Sequence, residues 1–211
     1  MNQLMTKNII PPRTPIAVVR LDTLEHVVPM TRALARGGIT RVEMTLTSER
    51  ALEAVSQVQR ELQGEVVIGM GTVLDGEGAR ASLDAGAAFL VTPIVAPEVI
   101  AVGHSHNVPV LCGAFTPTEI VAAWRAGADF IKVFPAGRLG PAYLKDILAP
   151  LPDLLLVPTG GVTLENCRAF LEAGAYTVGV GGQLVNTELI ARQDWSALTT
   201  RARQFAQACV P

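Results

Sequence analysis

Lys132 is the residue with the plainest capacity for chemistry. It lies in Ala128-Asp129-Phe130-Ile131-Lys132-Val133-Phe134-Pro135-Ala136, a short apolar run rich in Phe, Ile and Val. That length and composition suit a buried strand. Pro135 cannot donate a ladder hydrogen bond, so the strand should end there. Side chains alternate along a strand, which puts Phe130, Lys132 and Phe134 on one face. An ammonium between two phenyl rings loses hydration. This favours the neutral amine, a nucleophile able to form a Schiff base with a ketone. A lysine snorkelling from an edge strand, or paired with a buried acid, fits the same segment. Glu43 is the second candidate. In Arg41-Val42-Glu43-Met44-Thr45-Leu46, alternation sends Val42, Met44 and Leu46 to one face and Glu43 with Thr45 to the other. A buried carboxylate needs a partner or a task. The sequence leaves both a structural Glu–Lys ion pair and a catalytic pair open.

The elements that must hold these residues alternate regularly. Apolar strand signals cover 15–20, 39–46, 65–71, 87–92, 108–113, the lysine strand, 154–158 and 175–181, and a helical pattern follows each. Asp22 or Thr23 is the expected cap of the first helix, and Thr47-Ser48-Glu49 opens the second. Four helices end on a glycine that enters the next strand, at Gly37-Gly38, Gly86, Gly127 and Gly174, ahead of strands two, four, six and eight. Eight strand-then-helix units predict a single (β/α)8 TIM barrel over residues 1–211, preceded by a short N-terminal arm or helix at 1–12. A doubly wound sheet is the alternative. It usually carries a glycine-rich loop after the first strand, where this chain has Arg20-Leu21-Asp22.

Barrels of this kind carry their sites at the C-terminal ends of the strands. Those ends read Arg20, Glu43 to Thr45, Gly71-Thr72, Thr92-Pro93, Gly113, Lys132 with Phe134, Thr159 to Gly161, and Gly179 to Gly182. The Gly160-Gly161 and Gly181-Gly182 pairs follow strands seven and eight. There a barrel often binds phosphate through backbone N–H groups that only glycine leaves approachable. The formal net charge of −2 and the absence of a basic stripe argue against nucleic acid. No apolar run is long enough to span a bilayer, and Met1 to Ile10 lacks a signal-peptide core. The three cysteines, Cys112, Cys167 and Cys209, are scattered, as in a reducing cytoplasm, and read as small apolar fillers. His104-Ser105-His106 is no metal motif and reads as a solvated pair opposite the site. Arg138 and Lys145 read as surface charges.

Six blocks then fall into a known order. Glu43-Met44-Thr45-Leu46, Gly69-Met70-Gly71-Thr72-Val73-Leu74, Val91-Thr92-Pro93, Ile131-Lys132-Val133-Phe134-Pro135-Ala136, Thr159-Gly160-Gly161-Val162 and Gly179-Val180-Gly181-Gly182 resemble the 2-keto-3-deoxy-6-phosphogluconate (KDPG) / 4-hydroxy-2-oxoglutarate (KHG) aldolase family across about residues 15–185. The resemblance implies a class I aldolase on a barrel, without metal or other cofactor, usually a homotrimer. It implies Lys132 as the Schiff-base lysine and Glu43 as the proton-transfer residue. Thr72, Pro93 and Phe134, beside the inward Thr45, match the pyruvoyl half of the site. Gly160, Gly161, Gly181 and Gly182 match the phosphate loops, and Arg20 matches a basic position that helps hold the substrate's anionic groups. The implied partner is a small keto-acid sugar phosphate. One position departs: many phosphogluconate-type members carry Arg where this chain has Thr47, and members acting on the galactonate epimer can carry a small polar residue there. Two other readings fit the residues. One is an epimerase or synthase barrel with Lys132 as an electrostatic clamp. The other is a catalytically silent sugar-phosphate sensor.

Overall fold

The computed structural model describes residues 8–210. Eight parallel strands form one sheet in the order β7-β6-β5-β4-β3-β2-β1-β8, and a parallel bridge between Thr159 and Gly179 joins β7 to β8. The sheet therefore closes into the expected (β/α)8 barrel. Its strands are β1 (Ile16–Val19), β2 (Arg41–Thr45), β3 (Val67–Gly71), β4 (Leu90–Val91), β5 (Val110–Ala114), β6 (Phe130–Val133), β7 (Leu156–Pro158) and β8 (Gly179–Val180). Helices follow in turn: α1 (Val27–Arg36), α2 (Ala51–Glu61), α3 (Gly76–Asp84), α4 (Pro97–Ser105), α5 (Pro117–Arg125), α6 (Gly140–Leu148) and α7 (Cys167–Glu172). After β8 come α8 (Thr187–Ala191) and α9 (Trp195–Cys209).

Strand alternation divides the apolar residues into two cores. Val42, Met44, Ile131 and Val133 face outward into the layer between strands and helices. Ile16, Phe89, Val91, Leu111, Phe130 and Val157 face inward and fill the lower barrel, capped by Ile10. Phe130 thus forms a floor two residues before Lys132. Of the expected N-terminal arm, residues 1–7 lie outside the described residues. The rest is tied down: Arg41 Nε donates to the Ile9 carbonyl at 2.8 Å and the Tyr176 hydroxyl to the Ile10 carbonyl at 2.9 Å.

Several boundaries differ from the sequence expectation, each for a local reason. Asp22 and Thr23 do not cap α1. The Asp22 carbonyl instead accepts the Glu49 N–H at 3.0 Å, and α1 starts after His26 with no side-chain cap. α2 starts at Ala51 rather than at Thr47 to Glu49, because Arg50 takes a left-handed conformation, φ +55°. The short α8, capped by the Asn186 side chain, follows β8 without a sequence signal strong enough to separate it from α9. His104 is not simply solvated. Its Nε2 lies 3.1 Å from Asp129 Oδ2, which also accepts the Val110 N–H at 2.9 Å. The pair ties the end of α4 to the start of β5 and β6, at the barrel end opposite Lys132. His106 is exposed, as are Arg138 and Lys145. All three cysteines are buried free thiols. Among the described residues, no helix is long and apolar enough to cross a membrane.

Candidate active site

β6 and β2 stand on opposite walls of the barrel, and each points one ionisable side chain at the axis. Lys132 Nζ lies 3.5 Å from Glu43 Oε1, with the two side chains 7% and 3% exposed. The ammonium sits 5.3 Å above the Phe134 ring centroid, within reach of its quadrupole. The sequence anticipates both orientations, since Phe130, Lys132 and Phe134 share the inner face as do Glu43 and Thr45. Gly71 supplies something the motif alone does not explain. A Cβ at that position would overlap the Glu43 carboxylate, so the absent side chain is the space the carboxylate occupies.

Above the pair opens a cavity of about 230 Å³. Every sequence-predicted site residue lines it: Arg20, Glu43, Thr45, Thr72, Pro93, Lys132, Phe134, Gly160, Gly161, Gly181 and Gly182. Arg20 is the only guanidinium among the described lining residues. Thr72 has φ +57°, a conformation that a β-branched residue adopts under strain and that clusters at functional sites. Gly160 and Gly161 have φ +79° and +82°, and a Cβ on Gly161 would meet Gly137 Cα at 2.7 Å. Only glycine fits that loop. The Phe134–Pro135 peptide is cis.

The cavity is also lined by Thr159, which the reading of the strand ends includes, and by Val18, Val162 and Gln183, to which that reading gives no role. Gln183 follows the second glycine pair, and its carbonyl accepts a hydrogen bond from Arg201 Nε of α9. Asn166 was missed as well. It accepts the Thr163 N–H at 2.8 Å and donates to the Gly161 carbonyl at 2.9 Å, clasping the loop after β7. Its signal, a lone Asn five residues beyond a Gly-Gly pair, is too common to be read alone. Thr47 does not line the cavity. Its hydroxyl donates to Thr45 Oγ1 at 3.1 Å, and Thr45 Oγ1 in turn donates to the Val19 carbonyl at 3.3 Å. Arg138 lines a shallower groove of about 350 Å³ on the outer side of Gly160 and Gly161.

Residues 6–201 match the family model described as KDPG and KHG aldolase. The chain belongs to this aldolase family. It is 36% identical over 193 residues to 2-dehydro-3-deoxy-phosphogluconate aldolase of Treponema pallidum (strain Nichols), covering 91% of each chain. Among solved structures it resembles one described as native KDPGal, at TM-score 0.86 and 30% identity over 92% of this chain and 93% of that one. It also resembles KDPG aldolase of Legionella pneumophila, at TM-score 0.83 and 28% identity, covering 92% and 95%. That protein was captured with pyruvate as a covalent carbinolamine intermediate. The present chain is therefore an aldolase, a carbon–carbon lyase.

Proposed function

We propose that this aldolase works through a Schiff base on Lys132 and cleaves a 2-keto-3-deoxy sugar acid 6-phosphate to pyruvate and glyceraldehyde 3-phosphate. The observation that carries the reading is the buried Lys132–Glu43 contact at 3.5 Å on the floor of a cavity edged by two glycine loops. Neutral Lys132 attacks the C2 ketone. Glu43 moves the protons as the carbinolamine loses water to the iminium. The iminium draws electrons from the C3–C4 bond as it breaks, while Glu43, directly or through water, takes the C4 hydroxyl proton. Glyceraldehyde 3-phosphate leaves. The enamine is reprotonated at C3, and water releases pyruvate and the free amine. Thr45, Thr72, Pro93 and Phe134 surround the pyruvoyl end. The glycine loops offer backbone N–H groups to the phosphate, and Arg20 is the guanidinium available to an anionic group. An arrangement of this kind also accepts 4-hydroxy-2-oxoglutarate, whose distal carboxylate takes the place of the phosphate. Thr47, tied to Thr45 rather than presenting a cation, favours the galactonate epimer at C4, and kcat/KM for the two epimers tests that choice.

The reading includes a homotrimer. Leu74, Ile94 and Phe115 are 52%, 54% and 38% exposed on the loops after β3, β4 and β5, an apolar rim that a neighbouring copy would cover. Three free thiols fit a reducing cytoplasm.

Incubation with pyruvate and borohydride, followed by intact-mass measurement and peptide mapping, tests the chemistry. A reduced pyruvyl adduct on Lys132, absent from Lys132→Ala, is the expected result. A folded protein that gains no adduct would leave Lys132 as an electrostatic clamp and overturn the proposal.

A further inference from the structure

On the outer wall of the barrel, α1 and α9 lie side by side. Thr199 Oγ1 donates to the Ala33 carbonyl at 3.0 Å, and a Cβ on Gly37 would run into Ala202. Between them runs a groove of about 490 Å³, with Arg32 and Arg36 on one bank, and Trp195, Ser196 and Arg203 on the other. No Asp or Glu lines it, and none of the three guanidiniums forms an ion pair among the described residues. The protein as a whole is acidic, at −2, so this concentration of cations is local. It is also unfavourable in isolation. Arg32 and Arg36 are like charges at i and i+4 on one helix, a spacing that opposes helix formation. Arg36 has a helical role, since it sits in the last turn of α1 and offsets the dipole there. Arg32 and Arg203 have none.

We propose that this groove binds a small molecule carrying two or more linked phosphates, at a site separate from the barrel mouth. Planar guanidinium forks match phosphate oxygens in pairs, and three of them suit a di- or triphosphate better than a single phosphate. The Ser196 hydroxyl adds an uncharged donor. Trp195, half-buried with His26 at a ring-centroid distance of 6.0 Å, forms a flat end wall. The volume lies in the range of small-ligand sites. The proposal does not rest on the aldolase chemistry.

Trp195 provides the readout. The chain has two tryptophans, and Trp124 is 46% exposed on α5, so a Trp124→Phe background isolates the Trp195 signal. Titration with inorganic tripolyphosphate should give a saturable change in Trp195 fluorescence that weakens as salt rises. Arg32→Gln, Arg36→Gln and Arg203→Gln should each weaken binding about tenfold, the weight of one charge-assisted hydrogen bond. Arg20→Gln at the barrel mouth should leave the titration unchanged, and orthophosphate should bind far more weakly. Circular dichroism checks that each variant is folded. An absence of saturable change up to about 5 mM, a millimolar limit that corresponds to binding too weak to be specific, would overturn the proposal. So would binding that survives the triple arginine substitution.

Discussion

A methyl group at position 71 would occupy the space that the Glu43 carboxylate now fills. Gly71→Ala should therefore push the carboxylate off its line to Lys132 while leaving both ionisable groups in the chain. The expected result is a fall in kcat of about 10²-fold, typical of a misplaced catalytic group, with little change in KM. Steady-state kinetics separate the two. Glu43→Gln removes the proton-transfer group itself and should lower kcat by about 10²–10⁴-fold, the usual range for general acid–base catalysis. Borohydride trapping of that variant would then show whether adduct formation slows along with cleavage. The candidate site was largely legible at this scale because strand alternation is a strict geometric rule. Once Phe130 to Phe134 is a strand, Lys132 must face the axis, and once Val42 and Met44 face the helices, Glu43 cannot. Gly71, Asn166 and Gln183 were not legible in the same way. Their importance lies in what touches them from other strands and loops, which spacing along one strand does not encode.

α5 shows how local sequence fixes an element. The Thr116 hydroxyl accepts the Glu119 N–H at 3.3 Å, and Glu119 Oε2 accepts the Thr116 N–H at 2.7 Å, a complete capping box. Hydrogen bonds from the Thr116 and Phe115 N–H groups and the Thr116 hydroxyl hold the Glu119 carboxyl below its ordinary value. A carboxylate with a lowered folded-state pKa stabilises the fold above the unfolded value, and the contribution is lost as pH falls through the lowered one. The gap in Tm between wild type and Glu119→Gln should thus be present at neutral pH and close in acid, below the ordinary carboxylate range. Thr116→Ala should lower stability by about 1 kcal/mol in thermal unfolding. The box is contained in four residues, Thr116-Pro117-Thr118-Glu119, so the sequence alone is enough to encode it. The start of α1 was misread because Asp22, a good cap by type, spends its carbonyl on Glu49 in a neighbouring loop. On the helices that follow β7 and β8, burial pushes the Cys209 thiol up to about 12 and raises Cys167 as well. Both should therefore react slowly with alkylating reagents until the protein unfolds.

For the molecule as a whole, eight repeats of strand and helix left few topologies to choose among, which is why the barrel was readable from the chain alone. Less readable was which surface the barrel shows to others. The exposed side chains of Leu74, Ile94 and Phe115 come from three separate loops far apart in the chain. If the proposed trimer forms through this rim, Ile94→Asp should break it, and light scattering would read a single 22.3 kDa chain for the variant. The barrel has, finally, a point of closure. β7 and β8 are joined by the Thr159–Gly179 bridge, supported by the Tyr176 N–H to the Leu156 carbonyl at 2.8 Å. The two glycine loops open on either side of that seam. A dianion held by both would work like the clasp of a hoop, so that occupancy of the site governs how easily the ring springs open. Inorganic phosphate should accordingly slow amide hydrogen exchange at 159–161 and 179–183 more than in α3 or α4, and raise Tm in proportion to the logarithm of its concentration.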